Sequence, residues 1–337
     1  MRKAVSEVML HKANMPKRDS IPICHNAVSR DGKMISTDLE VTLFTPTEKP
    51  EGIYRIVGKE FISSPADAKQ FPMIPDYESD NYPTIVDNSG NLLKHILYAC
   101  KFVSKEINRP MFTGVSFTVS DGSVKIAATD GKLIYQHTLK VETRNIGLKY
   151  ACTLPIKSFD LLKRDKTFQA LTIQFDLNRA ILSNGNIEIL SHVIEGRYVD
   201  YTRVLPTKMT KEITFNRLEW ISKLEIIKDY VKEVDQQKVL LHETQGVFYL
   251  SGDDREAELK IDILADITVK DTKETSSKDY PNFVLIMPLH LITGGSTKEL
   301  NVAFSQKRML ELLKCFECDT LKIGYSASNM PMIITEK

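Results

Sequence analysis

The stretch RPMFTGVSFTVSDGSVKIAATDGKLIYQH, residues 109–137, decides how the chain is read. Two runs in it, Val115 to Val119 and Val124 to Ala128, alternate apolar and polar residues. Alternation over about five residues marks a half-buried strand, and Asp121-Gly122 between the runs is a tight hairpin turn. Thr129-Asp130-Gly131 closes the second run, and Leu133 to Tyr135 opens a further apolar run. The same plan stands earlier, in IPICHNAVSRDGKMISTDLEVTLF (21–44). There Pro22, Asp31-Gly32 and Thr37-Asp38 match Pro110, Asp121-Gly122 and Thr129-Asp130, at offsets of 88, 90 and 92 residues. A weaker third copy is KVLLHETQGVFYLSGDDREAELKI (238–261). A plan that recurs at such spacing is an internal repeat.

A chain of 337 residues exceeds one ordinary core and suits two or three domains. Its 42% apolar and 26% charged residues are those of a soluble globular protein. No run approaches the ~20 apolar residues of a membrane span. The opening MRKAVSEVML is too short and too charged for a signal peptide. Five cysteines without framework spacing point to reduced thiols in a cytoplasm. A net charge of +1 excludes a protein that simply coats nucleic acid electrostatically, so any such contact must come from local placement of charge.

At NRPMFTGVSF (108–117) and SDGSVKIAATDGKL (120–133) the chain resembles the second domain of the bacterial DNA sliding clamp, the β subunit of DNA polymerase III. RYVDYTRVLP (197–206) resembles the segment closing that domain, and RDSIPICHNAV (18–28) with STDLEV (36–41) resembles the first domain. The resemblance covers most of the chain, strongest over 88–206 and weak from 210 onward. It implies an α+β, three-domain DNA clamp fold, each domain with antiparallel sheets outside and helices on the inner face. The implied domains are 1–86, 87–208 and 209–337. The first is short, and the family's second helix of that domain has no counterpart between Leu43 and Phe71. Closure of a ring through the usual interface therefore lacks one of its parts.

In chain order, the pattern predicts a short helix over 4–12, ended by Pro16, then the first hairpin. A loop follows at 45–52, Tyr54 to Ile62 reads as strand, and an irregular linker runs from Phe71 to about Asn88. Leu93, Ile96, Cys100, Val103 and Ile107 form the buried stripe of a helix. A second helix is expected over 154–165, and strands over 171–175, 180–184 and 187–193 with Asn184-Gly185 as a turn. Trp220, Leu224, Ile227, Val231 and Val234 predict a helix in the third domain. Residues 270–279 read as a polar excursion, 305–316 as a helix, and 321–325 and 330–335 as closing strands.

Two features carry function. Three helices bear cations seven residues apart opposite their core stripe: Lys94/Lys101, Lys157/Arg164 and Lys307/Lys314, with Lys105 beside the first pair. Seven residues are two turns, roughly 10.5 Å, so each pair is a short row of charge suited to a DNA backbone. The alternative is a solvated helix face. The resemblance adds that Arg18 and Lys157 match residues touching duplex DNA in the family. It also implies a groove that takes short peptides from polymerases and clamp-loader subunits, walled here by Phe112, Thr129, Gly131, Lys132, Leu133, Val199, Arg203 and Val204. The family usually has His-Arg after Thr-Asp-Gly, and this chain has Lys132-Leu133. The family's Met-Pro-Met-like tail is absent, and Leu285-Ile-Met-Pro288-Leu either replaces that terminal strand or is an ordinary strand ending at a proline.

Enzymatic signals are weak. Cys315 and Cys318 form a lone Cys-x-x-Cys with no second pair. The seven histidines are scattered, and no phosphate-binding glycine loop is present. Asp38 and Asp130 sit at repeat-equivalent positions after Thr, which argues for turns over catalysis. The reading is a non-enzymatic processivity clamp without cofactor or metal, cytoplasmic and off the membrane. A homodimeric ring would encircle duplex DNA and tether the replicative polymerase. The competing readings are a clamp-like DNA- and protein-binding module that does not close a ring, and an enzyme built on Cys315 and Cys318.

Overall fold

The computed structural model describes residues 7–16, 21–74, 81–106, 108–147, 149–164, 170–176, 178–206, 209–228, 238–244, 247–253, 258–263, 268–275, 282–286, 301–326 and 331–336. The chain forms two compact units, residues 1–128 with 138–198, and residues 129–137 with 199–337.

The first unit begins with helix α1 (Glu7–Asn14) and strands β1 (Asn26–Arg30), β2 (Lys33–Thr37), β3 (Val41–Pro46), β4 (Gly52–Val57), β5 (Glu60–Ser63) and β6 (Thr84–Asp87). Helix α2 (Asn91–Ala99) follows, then β7 (Gly114–Ser120), β8 (Ser123–Thr129), β9 (Leu133–Lys140), β10 (Glu142–Arg144) and β11 (Tyr150–Pro155). Residues 133–137 of β9 belong to the second unit. Helix α3 (Ile156–Arg164), β12 (Leu171–Phe175), β13 (Arg179–Ser183) and β14 (Glu188–His192) complete the first unit. Its main sheet has ten strands in the order β10-β6-β12-β13-β14-β3-β2-β1-β4-β5.

Alternation does the building. Val28, Ile35, Phe44, Ile53, Ile181 and Leu190 form a cluster on one face, and Ala27, Met34, Tyr54 and Phe61 a second, against which Val8 of α1 packs. Asp31 and Gly32 take φ of 51° and 70°, the left-handed pair that a two-residue hairpin needs. Phe159 of α3 meets Phe117 at 6.0 Å between ring centres, and Phe117 meets Phe175 at 6.3 Å. All three rings are fully buried, and each contributes roughly 1.5–3 kcal/mol by leaving water.

The second unit holds β15 (Met209–Asn216), α4 (Arg217–Ile227), β16 (Lys238–Thr244), β17 (Val247–Asp253), β18 (Glu258–Ile263), β19 (Thr268–Thr275), β20 (Phe283–Ile286), β21 (Asn301–Ser305), α5 (Gln306–Leu313), β22 (Thr320–Tyr325) and β23 (Met332–Glu336). Here β9, β20, β23, β22, β15 and β19 are sheet neighbours in that order, and β18-β17-β16-β21 form a separate four-stranded sheet. Asn216 and Ser305 cap α4 and α5 by accepting from the amides of Glu219 and Arg308. Trp220 is fully buried, its ring 4.2 Å from that of Phe215.

The repeat is visible in the strand order. The meanders β1-β2-β3, β7-β8-β9 and β16-β17-β18 follow α1, α2 and α4, and their first strands are flanked by β4, β11 and β21. After β11 and β21 the chain enters α3 and α5. After β4 it makes only β5, and no α-helix lies among the described residues between Leu43 and Ile74. The run β10-β6-β12-β13-β14 beside β3 matches β19-β15-β22-β23-β20 beside β9. Strand β20 thus fills the place of β14, although it precedes β22 and β23 in sequence. Its residues Phe283 to Ile286 pair with β9 and β23, while Met287 and Pro288 lie outside the described residues.

Several expectations need correction. Helix α2 stops at Ala99 with a single 3-10 turn to Phe102, so Val103 is extended and Lys105 lies off the helix. The Ser104 amide is taken by the Phe112 carbonyl at 2.7 Å, which pulls the backbone out of the helical ladder. The buried residues are Leu92, Leu93, Ile96, Ala99 and Phe102, while Cys100 and Val103 are half-buried and Ile107 is outside the described residues. The run from Tyr54 to Ile62 is a hairpin, broken at Gly58 with φ of 63°. The linker before Asn88 contains β6, and residues Thr268 to Thr275 are strand β19, not a loop. Leu154 and Pro155 end strand β11 and are not in α3, while Phe316 lies beyond α5 and is half-buried. Val231 and Val234 lie outside the described residues.

Candidate functional site

In the first unit α1 packs on α3 and α3 on α2, so the three helices form one row. Burial first, and Asp160 after it, raise the Cys100 thiol to about 12 against the opposing charge of Lys163, which marks where α2 and α3 meet. Lys101, Lys105 and Arg164 are exposed and Lys94 is half-buried. The ammonium groups of Lys94 and Lys101 lie 6.0 and 5.1 Å from the centre of the Tyr98 ring, so α2 presents an aromatic bracketed by two cations. Lys157 is different. Its ammonium is ion-paired with Asp38, whose side chain is only 11% exposed, so much of its charge is already matched. In the second unit Lys307 and Lys314 are exposed on and just after α5, and Lys314 meets Glu225 of α4 at 3.3 Å. Arg18 lies outside the described residues.

The other set centres on the turn 129–133, all within the second unit. Thr129 Oγ1 accepts from the Gly131 amide at 3.0 Å and donates to the Leu133 carbonyl at 2.7 Å. Asp130 Oδ1 accepts from the amides of Lys132 and Leu133 at 2.8 and 2.9 Å. Gly131 sits at φ 88°, where a side chain would be strained. Asp130 Oδ2 is ion-paired with Arg308 in the first turn of α5. Nearby, Tyr201 OH donates to Gln136 Oε1 at 2.8 Å, and burial pushes its phenol up to about 12. Tyr201 and Leu205 pack on Ile134, Met209 and Ile333. Arg203 lies over Asp200 at 3.1 Å and stays open to solvent, as does Val204 at 45%.

The expected groove is therefore only partly surface. Gly131, Lys132, Arg203 and Val204 are exposed and Val199 is half-buried. Thr129 and Leu133 are buried and serve the turn. Phe112 is half-buried and belongs to the first unit, beside the guanidinium of Arg109 at 6.0 Å. The sulfurs of Cys315 and Cys318 lie 3.2 and 3.3 Å from the carbonyls of Glu311 and Thr320, the bonds of packed thiols.

Residue-by-residue reading missed the staple that the two units share. At Thr37-Asp38 the same bonds recur: Thr37 Oγ1 accepts from Leu39 and donates to Val41, and Asp38 Oδ1 accepts from the Glu40 and Val41 amides. Asp38 Oδ2 then takes Lys157 at the start of α3, as Asp130 takes Arg308 at the start of α5. Ser183-Asn184 repeats the turn with an amide in place of the carboxylate, Asn184 Oδ1 accepting from Asn186 and Ile187. The signal in the sequence was the matched pair Asp38 and Asp130. What it lacked was the helix-start cation, which lies well over a hundred residues away in each case. Asp130→Ala removes two capped amides and leaves Arg308 without its carboxylate, so it should destabilise the second unit by roughly 2–3 kcal/mol. Asp130→Asn keeps the caps, as Asn184 does, and should cost about half as much. Urea unfolding followed by Trp220, the single tryptophan, reads both.

Comparison with known proteins agrees with this architecture. Residues 89–200 match the family described as DNA polymerase III beta subunit, central domain. A beta sliding clamp of Staphylococcus epidermidis is 25% identical over 82% of this chain, and the match spans 66% of that protein's length. One from Staphylococcus aureus is 23% identical over 96% of this chain and 76% of its own. Among solved structures, the DNA polymerase sliding clamp from Bacillus subtilis superposes with a TM-score of 0.77 at 20% identity, covering 97% of this chain and 91% of that one. A putative DNA polymerase III beta subunit from Eubacterium rectale superposes at 0.79 and 16%, covering 98% and 93%. The chain thus has the fold of bacterial sliding clamps over nearly its whole length and resembles them in sequence, with the clearest signature in the central domain, residues 89–200.

Proposed function

We propose that the chain is a processivity factor for a DNA polymerase. Two copies enclose duplex DNA and tether the replicative polymerase and clamp-loader subunits through short peptides. The observation that carries this is the clamp fold over nearly the whole chain, with exposed cations on or beside α2, α3 and α5. On this reading Lys94, Lys101, Lys105, Arg164, Lys307 and Lys314 face the phosphates, with Arg18 beside them. Lys157 contributes less, because Asp38 already holds it. Such contacts read no bases and suit sliding. Gly131, Lys132, Val199, Arg203 and Val204 form the accessible part of the peptide groove, with Thr129 and Leu133 as its support. Three domains, near 1–86, 87–208 and 209–337, carry these parts. No catalytic step, cofactor or metal is assigned, and the setting is the cytoplasm. Among the described residues no helix is long and apolar enough to cross a membrane.

A second reading has its own support. The first repeat lacks the helix and following strands that β11 and β21 lead into, so a clamp-like module that binds DNA and protein without closing a ring fits that loss. One experiment separates the two. The protein is bound to linear duplex, the ends are then blocked with a bulky protein, and salt is raised. Encirclement predicts retention on blocked duplex and loss from free ends. Equal loss from both leaves the open module.

A further inference from the structure

We infer that Asp38 is an internal counter-ion of the DNA-facing helices: it holds Lys157 back from the phosphates and so limits how tightly the protein grips duplex. The inference rests on the reading of those helices given above. Lys157 and Lys307 occupy the same place, the second residue of α3 and of α5. Each helix start is met by a turn carboxylate, Asp38 for α3 and Asp130 for α5. The two carboxylates take different cations. Asp130 takes Arg308, the residue after Lys307, and Lys307 stays exposed. The residue after Lys157 is Ser158, which is fully buried and donates to Ser191 Oγ at 2.6 Å. Asp38 finds no arginine there and takes Lys157 itself.

Asp38 is placed by its own turn, not by Lys157. Its Oδ1 accepts from the amides of Glu40 and Val41 at 3.1 and 2.9 Å, and its own amide donates to the Val41 carbonyl at 3.3 Å. With Oδ1 tied, Oδ2 meets the ammonium with little rotamer freedom left to lose. The Asp38 side chain is 11% exposed and that of Lys157 30%, so water screens the pair weakly.

A phosphate that reaches Lys157 must therefore exchange it away from Asp38, where at Lys101 or Lys307 it meets an exposed cation. It would also leave Asp38 as an uncovered negative charge close by. The exchange is unfavourable, so the pair stays closed on the duplex. Being neutral in sum, it displaces no counterion from the DNA. Asp38 thus removes one contact from the set that the helices offer, which favours movement along the duplex over a fixed grip.

Fluorescence anisotropy of the full chain on a short linear duplex, over a salt series, tests this. Asp38→Asn keeps an oxygen for the two amides, as Asn184 does in its own turn, and removes the charge. It should bind roughly three- to tenfold tighter, and the slope of log affinity against log salt should steepen by about 0.9, the value of one added phosphate contact. A damaged turn would not tighten binding. Adding Lys157→Gln to Asp38→Asn should return both quantities to wild type. Lys157→Gln alone should leave the wild-type slope unchanged, whereas Lys101→Gln should flatten it by about 0.9. That comparison needs no change at Asp38 and decides the matter where Asp38→Asn does not fold. Three results overturn the inference and leave the helices as the DNA face: an Asp38→Asn chain that binds no tighter, a gain that survives the loss of Lys157, or a slope that Lys157→Gln flattens as Lys101→Gln does. A Lys101→Gln chain with wild-type affinity and slope overturns the reading of the helices, and this inference with it.

Discussion

Lowering the pH from 7 to 5 should destabilise the first unit by about 2 kcal/mol through one residue, His11. His11 is fully buried under the sheet, and burial drops its imidazole from 6.5 to about 3. Its hydrogen bonds explain why it stays neutral. Thr45 donates its hydroxyl proton to Glu7 at 2.8 Å, so its oxygen must accept from His11 Nε2 at 2.8 Å. In the neutral ring Nδ1 is then the acceptor, 2.7 Å from Ser36 Oγ, and Asn14 donates to that same hydroxyl. With the ring neutral every one of these bonds has one donor and one acceptor, and burial holds it neutral. In the unfolded chain His11 titrates near 6.5, so below that pH unfolding takes up a proton that folding refuses. The stability is whole above pH 6.5 and is lost at about 1.4 kcal/mol per pH unit down to about 3. His11→Leu should cost roughly 2–4 kcal/mol at pH 7, by taking one buried hydrogen bond each from Ser36 and Thr45. The decisive quantity is the difference between wild type and variant. It should shrink by about 2 kcal/mol from pH 7 to pH 5 in urea unfolding followed by circular dichroism. A difference that stays constant would mean His11 is charged when folded.

Gly114→Ala should be strongly destabilising for a single added methyl group. A Cβ at Gly114 would lie 2.6 Å from both Ile194 Cδ1 and the Leu154 carbonyl oxygen, and 2.8 Å from Thr153 Cγ2. The oxygen belongs to the backbone of β11, which pairs with β7 from Pro155 opposite Gly114 to Tyr150 opposite Val119. It cannot retreat without opening that ladder. A cost of about 3 kcal/mol follows, which lowers the melting temperature by roughly 6–12 °C in a unit of this size. Gly324→Ala is the control. Its Cβ would also meet an atom at 2.6 Å, but that atom is the Met209 sulfur at the end of a flexible side chain. Methionine can rotate away, so about 1 kcal/mol is expected there. Equal melting shifts for the two variants would show that β11 yields as easily as a methionine.

Much of this architecture is written locally. Asp31-Gly32, Asp121-Gly122 and Asn184-Gly185 fix their hairpins whatever surrounds them, and the alternation on either side chooses the faces. The repeat was legible because turns keep their residues while strand interiors drift. What was hidden is set by distant parts of the chain. Helix α2 ends where the Phe112 carbonyl claims the Ser104 amide, although apolar spacing continues to Ile107. Strand β19 reads as a loop because an edge strand tolerates the polar residues that loops carry. Nothing local says that β20 would enter a sheet ahead of β22 and β23. The site divides the same way. The lysines were legible as charges on helices, but the carboxylate that holds Lys157 is separated from it by more than a hundred residues of chain.

The central claim is that two copies of these repeats close around duplex DNA with the basic helices lining the opening. Negative-stain images of the protein with a short duplex test it most directly. The account predicts two-fold class averages with one central opening, occupied when DNA is present and empty without it. Averages showing particles with no opening, or DNA bound along an outer surface, would contradict it.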